Sequence, residues 1–190
     1  KAKLLETISR VGGKKATDLA LSETKSTNAD IKDAAIRGLS ESPNVAIAPE
    51  LLRIAKETSE TKHQVLALRG YIRLLGESKT SVTKKLIGYK TAMQLATRPD
   101  EKKQILSGLA DIRTTDSFRI AAPCLDDAEV AKEAALAITK IVMPHGDDKA
   151  GLQSYEVASA LAKAAPLLEE SRQRKRVERS GHGRQDGRSG

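Results

Sequence analysis

One feature limits the fold more than any other: a small residue recurs at the centre of apolar stretches along most of the chain. The stretches are 4–11, 34–41, 63–75, 105–112 and 134–141, and their central residues are Thr7, Gly38, Gly70, Gly108 and Ala137. The spacing is roughly 30 to 40 residues, the length of a unit made of two helices. The fullest instance is HQVLALRGYIRLL, His63 to Leu75. Val65, Leu68, Ile72 and Leu75 follow the spacing of one helical face, and Leu66, Tyr71 and Leu74 widen it until little of the cylinder is polar. Such a helix has to be covered on more than one side. Gly70 sits in its middle, where glycine costs about 1 kcal/mol against alanine. Close approach of a neighbouring backbone is the expected reason for it.

The segments between these inner helices are helical in pattern too, at 14–25, 45–58, 82–97, 116–125 and 152–168. Pro49 and Pro123 lie inside or near these outer helices, where each removes a hydrogen bond and bends the axis. Polar turns precede the inner helices: Ser26-Thr27-Asn28, Ser59-Glu60-Thr61, Arg98-Pro99-Asp100 and Asp126-Asp127. Their oxygens can accept from the first free backbone N–H groups, and Asp126 to Glu129 has a capping-box spacing. With aromatics at 2% and no Trp, the alternating Val, Thr, Tyr and Phe strands of a sheet are missing.

The unit TDSFRIAAPCLDDAEVAKEAALAITKIV, residues 115–142, carries a family resemblance. It has an apolar outer helix with proline near its end, an Asp-rich turn, and a Val-Ala-x-x-Ala-Ala-Leu inner helix. This resembles a HEAT repeat, of the kind found in bacterial multidomain proteins beside enzymatic or cytochrome-type domains. The resemblance extends over residues 1–168. It implies an all-α fold, a right-handed α-α superhelix of about four to five helix hairpins. It also implies binding along the face lined by inner helices. Two departures stand out: the repeat length varies, and the ladder of Arg or Lys expected on the inner helices is broken. The array opens on an inner helix without its outer partner and closes on an outer helix without its inner one. The expectation is a longer array, or ends that pair with another domain.

Residues 169–190 change character, with Val177 their one aliphatic residue and Gly, Arg and Ser dominant. They read as a disordered basic tail, whose first residues extend the preceding helix. The whole chain has a formal net charge of +8, compatible with nucleic acid, an anionic membrane or an acidic partner. A single Cys excludes an internal disulfide. No apolar run reaches the ~18 residues of a spanning helix, and no signal-peptide pattern opens the chain.

Chemistry-bearing residues are sparse. His63 reads as a solvated first-turn residue, Cys124 as a small buried thiol, and His145-Gly146-Asp147-Asp148 as an inter-repeat loop rather than a metal site. Gly12-Gly13-Lys14-Lys15 lacks the full phosphate-loop pattern and reads as a helix-to-helix turn. No nucleophile, acid–base pair or cofactor fingerprint emerges, so the chain reads as non-enzymatic and without a cofactor. The exposed ridge of the inner helices carries Glu6 and Arg10, Arg37 and Glu41, Arg69 and Arg73, Ser107 and Asp111, Leu136 and Lys140 at aligned positions. Signs alternate, and only the centre is doubly basic. A groove for nucleic acid would align its cations. The mixed ridge fits a protein partner, or an adjacent domain of the same chain, with Arg37, Arg69, Arg73, Asp111 and Lys140 as candidate contacts. The alternative is a nucleic-acid-binding module that uses a basic surface and the basic tail.

Overall fold

The computed structural model describes residues 2–11, 13–144 and 150–182. Among them the chain is all-helical, with ten α-helices and two 3-10 turns and no strand. It divides into two compact units after Gly108.

The first unit holds α1 (Ala2–Val11), α2 (Lys14–Glu23), α3 (Ala29–Glu41), α4 (Ala48–Glu57), α5 (Thr61–Glu77), α6 (Val82–Leu95) and most of α7 (Pro99–Ala110). α1 packs on α3 and α3 on α5, so the first three inner helices lie side by side in chain order. α2 covers α3, while α4 and α6 cover α5. The apolar girth of α5 is thus met on several sides, and Val65, Leu68, Tyr71, Ile72, Leu74 and Leu75 are all buried. Gly70 is where α3 comes closest. A Cβ built there would lie 2.8 Å from both Cα and the carbonyl oxygen of Ser40, against the 3.5–4.0 Å (about) of ordinary carbon contacts. Gly38 stands in the same relation to α1, where a Cβ would lie 2.6 Å from Ser9 Cβ. Gly38 and Gly70 therefore mark backbone approach between successive inner helices, whereas Gly108 makes room for the ring of Tyr89.

Helix starts follow the polar turns only in part. Asn28 caps α3 by accepting from Ile31 N at 3.1 Å, and Ser81 caps α6 through Lys84 N. Glu60 precedes α5 without a side-chain cap. Pro99 occupies the first position of α7, where its missing N–H costs nothing. Gly13, with φ 96°, turns the chain into α2.

The second unit contains α8 (Thr115–Ala121), α9 (Ala131–Val142) and α10 (Tyr155–His182). α9 packs against α8 and α10, burying Ala134, Ala135, Ala137, Ile138, Ile141 and Val142. Val157, Ala160 and Ala164, at helical spacing, bury the facing side of α10.

Several expectations need correction. The prolines do not bend long outer helices. Pro49 lies in the first turn of α4, after a 3-10 turn at Val45–Ile47, and Pro123 lies in a second 3-10 turn, Ala122–Asp126. At these two positions the outer element is split in two rather than curved, because a proline is best tolerated at a helix start; α10, by contrast, carries Pro166 in its interior. The capping box is at Thr114 and Ser117, not at Asp126 to Glu129. Asp127 instead accepts from Glu129 N at 3.1 Å in a turn, and α9 begins after Val130 with no side-chain cap. The preceding helix extends into the first part of 169–190, as expected, with helical backbone described through His182. Residues 145–149, with the His145 loop, and 183–190 lie outside the described residues. No helix among the described residues is long and apolar enough to cross a membrane.

Candidate functional site

The five ridge residues singled out in the sequence are all engaged within the chain. Arg37 lies 3.3 Å from Asp33 on its own helix and 3.8 Å from Glu6 on α1. One turn along, Arg10 of α1 meets Glu41 of α3 at 2.5 Å. In the second unit Lys140 reaches Asp111 at 2.6 Å. Glu6 with Arg37, Arg10 with Glu41, and Asp111 with Lys140 are pairs of aligned positions from successive inner helices. The alternation of sign along the ridge is therefore a self-complementary ladder. The Arg10–Glu41 and Asp111–Lys140 pairs are exposed and each worth about 1 kcal/mol or less, whereas Glu6 and Arg37 are partly buried.

The doubly basic centre has a different task. Arg73 Nη2 donates to the carbonyls of Ser42 at 2.6 Å and Ser40 at 3.2 Å, the free acceptors at the end of α3. Its other arm meets Glu77 at 3.2 Å. Arg69 donates from Nε to Glu101 at 2.6 Å and from Nη2 to Asp100 at 3.0 Å, so α5 is tied to the first turn of α7. Glu101 is fully buried, and its second oxygen has no hydrogen-bond partner.

His63 is buried, not solvated: its side chain is 3% exposed, at the junction of α3 and α5. Nε2 lies 3.3 Å from Asp33 Oδ1. The Glu60 carboxylate is 3.2 Å from Nδ1 but is not aligned for a hydrogen bond. Lys62 contacts the same Asp33 oxygen at 2.6 Å, and Lys32 contacts Glu60 at 2.9 Å. Burial pushes the Asp33 carboxyl up, but hydrogen bonds and charge from Lys62 and Arg37 outweigh it and hold it below its ordinary range. The Lys32 hydrogen bond does the same for Glu60. The carboxylates of the cluster are each paired with cations.

Two adjoining depressions open between these helices in the first unit. The larger, about 510 Å³, is lined by Leu66, Gly70 and Arg73 of α5, Tyr89 of α6, and Gln104 and Ser107 of α7. Glu41 is the one carboxylate on its lining. The smaller, about 450 Å³, is lined by Arg37, Lys62, Arg69, Arg98 and Leu66 among others, with no carboxylate. Leu66 and Arg69 line both. Arg37, Arg69 and Arg73 thus converge on one surface, while Asp111 and Lys140 belong to the second unit. Sequence reasoning missed Arg98, Tyr89, Gln104 and the use of Ser107. Arg98 lies in a turn with no periodicity to reveal it. Tyr89 sits on an outer helix, and a Cβ at Gly108 would overlap its ring.

Among the described residues no group of three or more His, Cys, Asp or Glu is placed to hold a metal ion. Cys124 is buried, as the sequence implied. The chain matches no family model, no curated protein and no solved structure.

Proposed function

We propose that this chain is a non-enzymatic, HEAT-like helical-repeat module that binds a segment of another protein, or of an adjoining domain, in the open groove beside its inner helices. In this reading the hairpins continue as a right-handed superhelix and the module serves as a scaffold within a larger multidomain protein. One observation carries the proposal. Successive inner helices are drawn together at Gly38 and Gly70 and tied by Arg69 and Arg73, and that rigid row is flanked by an open depression of about 510 Å³ with a half-buried Leu66 in its lining. Rigid walls with an apolar floor and polar rim suit an extended chain. The test is selection from an unbiased peptide library on the full chain, repeated with Ser107→Trp. Ser107 is exposed on the groove lining, so the indole fills the groove without entering the core. Enriched peptides that lose binding to Ser107→Trp support the reading; peptides indifferent to it, or no enrichment, refute it.

A second reading, nucleic-acid binding, is favoured by α10. Its C-terminal part is rich in basic residues, Arg172, Arg174, Lys175, Arg176 and Arg179 among them. A titration of DNA binding against salt discriminates. Phosphate contacts give a steep negative slope, and deletion of residues 171–190 removes it if α10 alone is responsible.

A further inference from the structure

The two depressions differ in charge, and the difference indicates a ligand class. The smaller is ringed by Arg37, Lys62, Arg69 and Arg98 and has no carboxylate on its lining. The acidic partners hold these cations from outside the depression: Asp33 on Arg37 and Lys62, and Asp100 with Glu101 on Arg69. A guanidinium has five N–H donors. Arg69 commits Nε and Nη2 to its acids, and Nη1 makes no hydrogen bond among the described residues. Arg98 is exposed and has no side-chain ion pair or hydrogen bond among the described residues. Carboxylates that are not on the lining thus hold Arg37 and Arg69 in place, while Arg69 Nη1 and the Arg98 guanidinium keep donors free of internal partners among the described residues. That arrangement suits bidentate carboxylate recognition.

Resting on the binding role proposed above, we infer that this depression receives a carboxylate side chain of an acidic peptide, and that a neighbouring aliphatic residue of the same peptide lies over Leu66 in the larger groove. Leu66 is common to both depressions, which makes the two positions adjacent along one bound strand. A nucleic acid fits less well. Its phosphates would continue past Arg69 to Arg73, both of whose Nη groups are held by Ser40, Ser42 and Glu77, and to Glu41, whose charge repels them. A peptide with carboxylates separated by aliphatic residues avoids both.

The experiment is fluorescence anisotropy on the full chain with three labelled peptides of equal length: alternating Glu and Leu, the same with Gln for Glu, and the same with Lys for Glu. The Glu peptide is expected to bind about tenfold or more tighter than the Gln peptide, because charge-assisted hydrogen bonds are roughly twice as strong as neutral ones. Arg98→Gln, which disturbs no internal ion pair, is expected to weaken the Glu peptide by about three- to tenfold and leave the Gln peptide unchanged. Ser107→Trp is expected to weaken both. Equal binding of Glu and Gln peptides, both blocked by Ser107→Trp, overturns the acidic preference while the groove reading stands. No binding of any peptide overturns both. Indifference of the Glu peptide to Arg98→Gln, or its displacement by inorganic phosphate at matching concentration, overturns the inference in favour of diffuse charge or a plain anion site.

Discussion

Gly70→Ala offers a sharp test of helix approach, because two effects of known sign oppose each other. At a mid-helix site alanine is preferred to glycine by about 1 kcal/mol. Against this, the new methyl would stand 2.8 Å from Ser40 Cα and from its carbonyl oxygen, and 3.0 Å from Leu51 Cδ1. Ordinary carbon contacts begin about 0.7 Å further out. Two of the three obstacles are backbone, which cannot rotate away. α3 must therefore move, and the Arg73 hydrogen bonds to Ser40 and Ser42 lengthen with it. Overpacking costs about 1–3 kcal/mol, and a backbone obstacle belongs in the upper half. The net expectation is destabilisation by about 1–2 kcal/mol after the propensity gain. Gly76→Ala on the same helix is the control. Its methyl first meets Tyr89 Oη at 3.4 Å, the edge of ordinary contact. It should be neutral or stabilising by up to about 1 kcal/mol. Urea unfolding followed by circular dichroism reads both midpoints. If Gly70→Ala is as stable as the parent, or more so, α3 and α5 do not meet at that glycine.

Three further predictions follow from particular contacts. Arg69→Ala leaves the fully buried Glu101 without its cation; with Arg69 itself more than a third exposed, the cost should be about 2–4 kcal/mol. Replacing both residues by Leu should cost less than Arg69→Ala alone, and a double replacement that costs more removes the buried charge as the cause. Stability should fall in acid. Asp33, Glu50 and Glu60 all titrate below their ordinary range, Glu50 mainly through its Arg53 hydrogen bond. Their stabilisation is complete above the unfolded values near pH 4 and is lost as pH drops through the lower folded values. Urea midpoints at about pH 6 and about pH 3 should show the loss, and Asp33→Asn should reduce it; a midpoint that rises on acidification contradicts the assigned pairs. At the alkaline end, burial pushes the Tyr71 phenol up. A raised folded value means stability present below about pH 10 and lost above it. Tyr71→Phe should flatten that loss, and an unchanged alkaline limb would remove Tyr71 as its source.

What sequence could reveal here was steric and periodic. Gly38 and Gly70 were legible because no other residue lets two helix backbones meet so closely. The apolar face of α5 was legible because burial imposes a helical period. What opposes a polar face is not a local property. The alternating signs of Glu6, Arg10, Arg37 and Glu41 were visible, but their use as a ladder depends on which helices adjoin. His63 looked solvated at a helix start because its burial comes from α3 and not from its own neighbours in sequence. Arg98 and Tyr89 have no repeat position, so the basic end of the groove had no signature in the ridge alignment.

Ordered stacking of the first inner helices is the premise on which groove, ladder and glycine column all rest, and proximity mapping tests it most directly. With Cys124 replaced by Ser, single cysteine pairs at Arg10 and Glu41 (α1 and α3) and at Arg10 and Glu77 (α1 and α5) would be treated with a short bismaleimide. The first pair replaces side chains that meet at 2.5 Å, and the second joins helices separated by α3. Rapid intramolecular cross-linking of the first pair and little of the second is the expected result. Equal yields, or preference for the second pair, would contradict the order α1, α3, α5.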